Sequence, residues 1–104
     1  MPIFQSGAYE VKPEAIEKVK KAIAEFVDYV KAHEPGTEMY LSWQEKDHPT
    51  KFIHHFIFKD AASQKLHGES DAVRKFESVY SPELVSNGVT FTDFEMPAGK
   101  REKQ

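Results

Sequence analysis

The segment Lys51–Phe58, with the sequence KFIHHFIF, constrains the fold of this chain more than any other stretch. In a β-strand, successive side chains point to opposite faces of the sheet. One face of this strand would carry Phe52, His54, Phe56 and Phe58, and the other would carry Ile53, His55 and Ile57. A strand in a small two-layer domain normally has one polar face in contact with water. Because both faces here are apolar, with one imidazole each, we expect both to be covered.

The spacing of apolar residues along the whole chain predicts four strands and three helices. The strands are expected at Ile3–Val11, Thr37–Gln44, Lys51–Phe58 and Val89–Met96, and the helices at Pro13–His33, Ala61–His67 and Asp71–Tyr80. Asp60 and Ser70 are suited to cap the two shorter helices, which Gly68 separates. The pair Asn87-Gly88 is typical of a turn. Gly7, in the first strand, indicates a bulge or a close approach of another group to the backbone.

The order of these elements, β-α-β-β-α-β, is that of the ferredoxin-like α+β fold. In that fold, one four-stranded antiparallel sheet carries its helices on a single face. The chain has 104 residues, which fits one domain. We assign residues 1–97 to that domain and residues 98–104 to a polar C-terminal tail. Phe26, Phe76 and Phe91 are expected in the core.

Composition excludes several classes of function. The net charge is −3, with 14 basic and 17 acidic residues, so nothing indicates a nucleic-acid-binding face. The chain has no cysteine, and the adjacent His54 and His55 would point to opposite faces, so we expect no metal site. No apolar run approaches the ~20 residues of a membrane helix. The N-terminus does not resemble a signal peptide, so we expect a cytoplasmic protein that does not bind membranes.

The second face of the sheet predicts a partner. If the helices cover one face, the other exposes an apolar patch on the order of 400 Å². A patch of that size is at the upper limit for monomeric proteins. We therefore predict a homodimer in which two sheets meet face to face across a two-fold axis. The alternative is a monomer whose hairpin or tail folds over the sheet.

Two runs of residues, joined by a polar turn with His48-Pro49, resemble a known family. The runs PGTEMYL (Pro35–Leu41) and FIHHFIFKDAASQKLHGES (Phe52–Ser70) are similar to the antibiotic biosynthesis monooxygenase domain. The resemblance implies a dimeric α/β barrel with a cavity between the sheet and the helices of each monomer. It also implies that molecular oxygen oxidises a small aromatic or quinol-like substrate without a metal, flavin or other cofactor.

The resemblance also implies site residues. His67 matches the family's histidine at the end of the short helix and would be the catalytic base. An imidazole, with an ordinary pKa near ~6.5, can take a phenolic proton at neutral pH. Tyr40 matches the family's tyrosine on the second strand and, with His54, would orient the substrate. The apolar wall would consist of Phe52, Phe56 and Phe58. Without a catalytic role, His67 would complement the C-terminal dipole of its helix, and His54 would be a hydrogen-bonded core residue.

Two positions differ from the family pattern and leave two other functions open. Phe58 stands where many members have tryptophan, and Ser6 stands where the haem-degrading branch has asparagine. One alternative is a non-catalytic or stress-response barrel that binds a small aromatic ligand without converting it. The other is a haem-binding or haem-degrading protein in which His67 would be an axial ligand.

Overall fold

The computed structural model describes residues 1–85 and 88–100. Within these residues the strands are β1 (Ile3–Glu10), β2 (Thr37–Gln44), β3 (Lys51–Phe58) and β4 (Thr90–Phe94), and the helices are α1 (Ile16–His33), α2 (Ala61–Gly68) and α3 (Asp71–Tyr80). Short 3-10 turns precede α1, at Pro13–Ala15, and follow α3, at Ser81–Glu83.

The strands form one antiparallel sheet in the order β2-β3-β1-β4, as the ferredoxin-like prediction requires. The two central strands pair along their full length, from Ile3 opposite Phe58 to Glu10 opposite Lys51. All three helices lie on one side of this sheet, which we call the inner face, and the opposite side is the outer face. The predicted fold class is therefore confirmed.

The strand and helix bounds agree closely with those predicted, and the differences lie at the ends. The first strand stops at Glu10, and Val11 forms only an isolated bridge with Leu84. The last strand is Thr90–Phe94 instead of Val89–Met96, because its only strand neighbour is β1, with which it pairs over five residues. The predicted turn residue Asn87 and tail residues 101–104 lie outside the described residues. Gly88 has a φ of 97°, which suits glycine in a turn.

Both predicted caps are present. The Asp60 carboxylate accepts a hydrogen bond from the Ser63 amide at 2.8 Å, and the Ser70 hydroxyl accepts one from the Val73 amide at 3.0 Å. Each side chain thus satisfies an amide of a first helical turn that has no partner within its helix.

The core lies between the inner face and the helices α1 and α3. The buried stripe of α1 comes from residues spaced three and four apart, namely Val19, Ala22, Ile23, Phe26 and Val30. This stripe packs with Phe76 and Tyr80 of α3 and with Tyr9 and Phe52 of the sheet. Phe91 differs from prediction, since its side chain is 61% exposed. It lies on the edge strand β4 at one margin of the sheet.

The outer face is apolar and only partly covered within the chain. Leu41, Trp43 and Phe94 are exposed, and the ring of Trp43 lies 4.5 Å from that of His55. The segment after β4, residues 95–98, lines a groove on this face. Among the described residues, no helix is long and apolar enough to span a bilayer.

Candidate functional site

A cavity of about 290 Å³ lies between the inner face and the helices. Its wall is largely aromatic. Alternate residues of β2 and β3 on the inner face and apolar residues of α1 and α3 supply most of these rings. Small-molecule sites typically occupy roughly 300–1,000 Å³. The cavity is therefore just below the lower limit of that range and suits a ligand of one or two rings.

His54 is held on the cavity wall by two tyrosines from the neighbouring strands. The hydroxyl of Tyr9 lies 2.8 Å from Nε2 of His54, and that of Tyr40 lies 2.8 Å from Nδ1. In a neutral imidazole, one nitrogen donates a hydrogen bond and the other accepts one. One of these tyrosines therefore donates to His54 while the other accepts from it.

This tyrosine–histidine–tyrosine set is uncharged at neutral pH. Burial, with a smaller contribution from the neighbouring His55, lowers the pKa of His54 to about 4. Burial also raises the pKa of both Tyr9 and Tyr40. The set can therefore offer polar atoms to a ligand without placing a charge beside it.

His67 lies on another part of the wall and is hydrogen bonded to a buried carboxylate. Its Nδ1 lies 2.7 Å from Oε1 of Glu34, and the two side chains are only 11% and 4% exposed. The rings of Phe58 and Phe26 lie 5.1 and 5.4 Å from its own. Within residues 1–85 and 88–100, Nδ1 is the only ring nitrogen of His67 that makes a hydrogen bond. Its Nε2 therefore stays without a hydrogen-bond partner among these residues.

Most of the residues predicted for the site do line this cavity. They are Tyr40, His54, Phe56, Phe58 and His67. Phe52 differs from the prediction: it faces the same side but lies outside the wall, with an exposure of 3%. Its ring stacks on that of Tyr9 at 5.7 Å and belongs to the core beneath α1, so Tyr9 takes the place that was predicted for it.

The first strand contributes the carboxamide of Gln5 to the wall of the cavity. Ser6 pairs with His55 and so faces the outer side, whereas Gln5 and Gly7 line the cavity. A Cβ atom on Gly7 would lie 3.2 Å from the ring of Phe91, so this glycine marks a close approach, as predicted. Ser6, which stands where the haem-degrading branch has asparagine, therefore does not reach this cavity.

Tyr9 and Glu34 were missed by the sequence interpretation. Tyr9 lies two residues beyond Gly7 and so shares its face, a pattern that could have identified it. Glu34 follows α1, where a negative charge opposes the helix dipole. Because this position is unfavourable for an acidic residue, it could have indicated that the Glu34 side chain has a partner in another segment.

Comparison with known proteins identifies the family of this chain. The model of the antibiotic biosynthesis monooxygenase family matches residues 2–78. The chain belongs to this family. No curated protein sequence matches it significantly.

Several solved structures share the fold. One is a candidate antibiotic biosynthesis monooxygenase from Bacteroides thetaiotaomicron, which is 16% identical in sequence and has a TM-score of 0.88. The match covers 99% of this chain and 96% of that protein. Another candidate, from Caulobacter crescentus, is 19% identical with a TM-score of 0.81 and covers 91% of both chains. The protein Rv0793 from Mycobacterium tuberculosis is 13% identical with a TM-score of 0.81 and covers both chains fully. At these identities the likeness shows the fold alone.

In this member of the antibiotic biosynthesis monooxygenase family, the charges in the cavity wall disfavour anionic ligands. In the part of the chain that the structure describes, no lysine or arginine lines the cavity, and Glu77 is the only carboxylate that does. The same residues contain no group of three or more histidine, aspartate or glutamate side chains placed to hold a metal ion. A ligand carboxylate or phosphate would find no cationic partner there apart from a protonated histidine.

Proposed function

We propose that this protein is a cofactor-independent monooxygenase that oxidises a small aromatic or quinol-like substrate with molecular oxygen. The observation that carries the proposal is the position of His67, a histidine with an available Nε2 in the wall of an aromatic cavity. Family membership supplies the reaction class, and the size of the cavity supports a substrate of one or two rings.

In the proposed reaction, Nε2 of His67 takes a phenolic proton from the quinol. The resulting anion is rich in electrons and reduces dioxygen directly. One oxygen atom forms the new hydroxyl group of the product, a hydroxyquinone, and the other leaves as water. Quinol and dioxygen thus yield hydroxyquinone and water, with no external reductant. The protein would contribute a base, orientation and the exclusion of water.

The remaining wall residues would place the substrate. Tyr40 would exchange a hydrogen bond with a substrate oxygen, and His54 would orient the Tyr40 hydroxyl. Phe56 and Phe58 would contact the rings of the substrate. The lack of basic side chains in the described wall supports an uncharged substrate. It also makes haem a poorer fit, because its two propionates would have no lysine or arginine partner in this wall.

A homodimer through the outer face is part of this proposal. Trp43 is 56% exposed and Phe94 is 49% exposed, and both lie on this face of the sheet. A second copy that buried about 800 Å² of each partner would cover them. The segment 95–98 covers only one part of the face and leaves Trp43 exposed. The cytoplasmic location stays a prediction.

Oxygen uptake tests the proposed activity. With 1,4-dihydroxynaphthalene as a probe, the protein should consume oxygen faster than the protein-free solution and incorporate one atom of labelled dioxygen into the product. The substitution His67→Gln should lower kcat by about 100-fold or more, the usual contribution of a general base. The exposed His48→Gln is the matched control.

Three outcomes would count against the proposal. A panel of quinols and polyphenols that bind without oxygen uptake would support the non-catalytic alternative, and an unchanged kcat in His67→Gln would remove the assigned base. A Soret shift on mixing with haem, abolished by His67→Gln, would favour the haem alternative.

A further inference from the structure

We infer that Glu34 is a positioning residue that fixes the proton of His67 on Nδ1 and so keeps Nε2 available as the base. This inference rests on the proposed function, in which His67 takes the proton of the substrate. Glu34 would touch neither substrate nor oxygen and would act only through the imidazole.

The carboxylate of Glu34 is fixed by its surroundings. Oε1 accepts hydrogen bonds from Nδ1 of His67 at 2.7 Å and from the Thr37 hydroxyl at 2.9 Å. The backbone holds the same residue, because its amide donates to the Val30 carbonyl and its carbonyl accepts from the Thr37 amide, each at 3.0 Å. The side chain therefore approaches His67 from one constrained direction.

Because Glu34 is buried, its carboxylate needs His67 as a hydrogen-bond partner. Glu34 is 5% exposed, and its Oε2 has no hydrogen-bond partner among the described residues. A buried carboxylate is costly unless it is paired and hydrogen bonded. When His67 gains a proton, the imidazolium supplies the missing positive charge, so the pair would stabilise the protonated base that the proposed reaction creates.

The direction of the hydrogen bond determines the tautomer. A carboxylate can only accept, so Nδ1 of a neutral His67 must carry the proton and Nε2 must carry the lone pair. In the Ser-His-Asp triad of hydrolases, the aspartate that is hydrogen bonded to the catalytic histidine fixes its tautomer in the same way. Without this acceptor, the proton could move to Nε2, and Nε2 could then no longer take one from the substrate.

Other titratable groups face the cavity from the elements around the pair. Tyr9 lies on β1, Tyr40 on β2, His54 on β3, and Glu77 and Tyr80 on α3. Glu34 itself contributes to the raised pKa of Tyr40. A pH profile alone would mix these groups, so the test needs a readout specific to the ring of His67.

Nitrogen-15 chemical shifts of the histidine rings provide that readout and require no substrate. In the wild-type protein, with His67→Gln used for assignment, the neutral ring of His67 should carry its proton on Nδ1. Glu34→Met, which keeps the length of the side chain but removes the acceptor, should move that proton to Nε2. Glu34→Gln keeps an acceptor oxygen and should retain the Nδ1 proton. The exposed Glu38→Gln is the control.

Activity towards 1,4-dihydroxynaphthalene gives the second readout. We expect kcat to fall about 100-fold in Glu34→Met, the lower limit of the usual contribution of acid–base catalysis, and only about 10-fold in Glu34→Gln, which loses only the charge. A wild-type proton on Nε2, or an unchanged tautomer in Glu34→Met, would overturn the inference. So would an unchanged kcat in Glu34→Met if His67→Gln is inactive. If His67→Gln is fully active, His67 is not the base and the proposed function fails. The nitrogen-15 shifts of the His67 ring in the wild-type protein and in Glu34→Met would still show whether Glu34 fixes the tautomer.

Discussion

The hydroxyl of Tyr40 lies 2.8 Å from Nδ1 of His54, across the pairing of β2 with β3. Together with the bond from Tyr9 to Nε2, it satisfies both ring nitrogens of a histidine that is 2% exposed. The inner face of the sheet thus contains a polar set inside an apolar layer. Because every partner is a hydroxyl or a neutral ring, the set adds no net charge to the cavity.

Removing one hydroxyl from this set should destabilise the protein. In Tyr40→Phe, Nδ1 of His54 loses its partner while the ring remains buried, which typically costs about 1–3 kcal/mol. We expect the free energy of unfolding in urea to fall by that amount. Tyr29→Phe is the control, since Tyr29 is half-buried and makes no side-chain hydrogen bond among residues 1–85 and 88–100. An equal loss in both variants would refute the role assigned to the bond.

His54 should also make stability depend on pH. Its pKa falls from 6.5 to about 4 on folding, so the unfolded chain binds more protons between those values. Stability should be retained above about pH 6.5 and decrease as the pH falls towards 4, by up to about 3 kcal/mol.

Unfolding in urea at pH 7 and pH 4.5 measures this dependence. His54→Gln has no titrating group at this position and should lose less stability between the two pH values than the wild-type protein does. His48→Gln, which changes an exposed turn, should behave like the wild type. If His54→Gln shows the same pH dependence as the wild type, the burial of a neutral His54 is not its cause.

Alternation along the strands accounts for most of the site that the sequence predicted. Tyr40, His54, Phe56 and Phe58 line one cavity because residues two apart on a strand share a face, and neighbouring strands align those faces. Alternation identifies a face, but it does not show how far a cavity extends along it. Phe52 was misplaced for this reason, since Tyr9 stacks on it and fills the space.

The residues that the sequence did not predict depend on contacts between distant segments. Glu34 and His67 are 33 residues apart and meet only when α2 lies against the turn after α1. Phe91 has the alternation of a core residue, but its edge strand leaves it 61% exposed. Neither relationship could be derived from local pattern, because the first depends on where α2 lies and the second on the place of β4 at the edge of the sheet.

Gly36 should control the position of α2 and therefore the pair of His67 with Glu34. A Cβ atom at Gly36 would lie 2.7 Å from Cβ of Ser63, in the first turn of α2, a distance that real side chains essentially never show. Gly36→Ala should displace that turn, lower stability by about 1–3 kcal/mol and perturb the ring resonances of His67. Gly68→Ala is the matched control, because a Cβ there meets nothing within 4 Å. Unchanged His67 resonances in Gly36→Ala would show that α2 is not positioned by this contact.

Trp43 should be essential for the proposed dimer. Its side chain is 56% exposed on the outer face and lies against His55, so a two-fold partner on that face would bury both rings. Introducing a charge there would require its desolvation in the interface.

Sedimentation equilibrium at micromolar concentration should give twice the 11.9 kDa chain mass for the wild type and a single chain for Trp43→Glu. Leu66→Glu alters a side chain that is 61% exposed on α2, away from the outer face, and should remain dimeric. A wild-type protein that sediments as a single chain would refute the dimer. Loss of the dimer in Leu66→Glu but not in Trp43→Glu would assign the interface to the helical side instead.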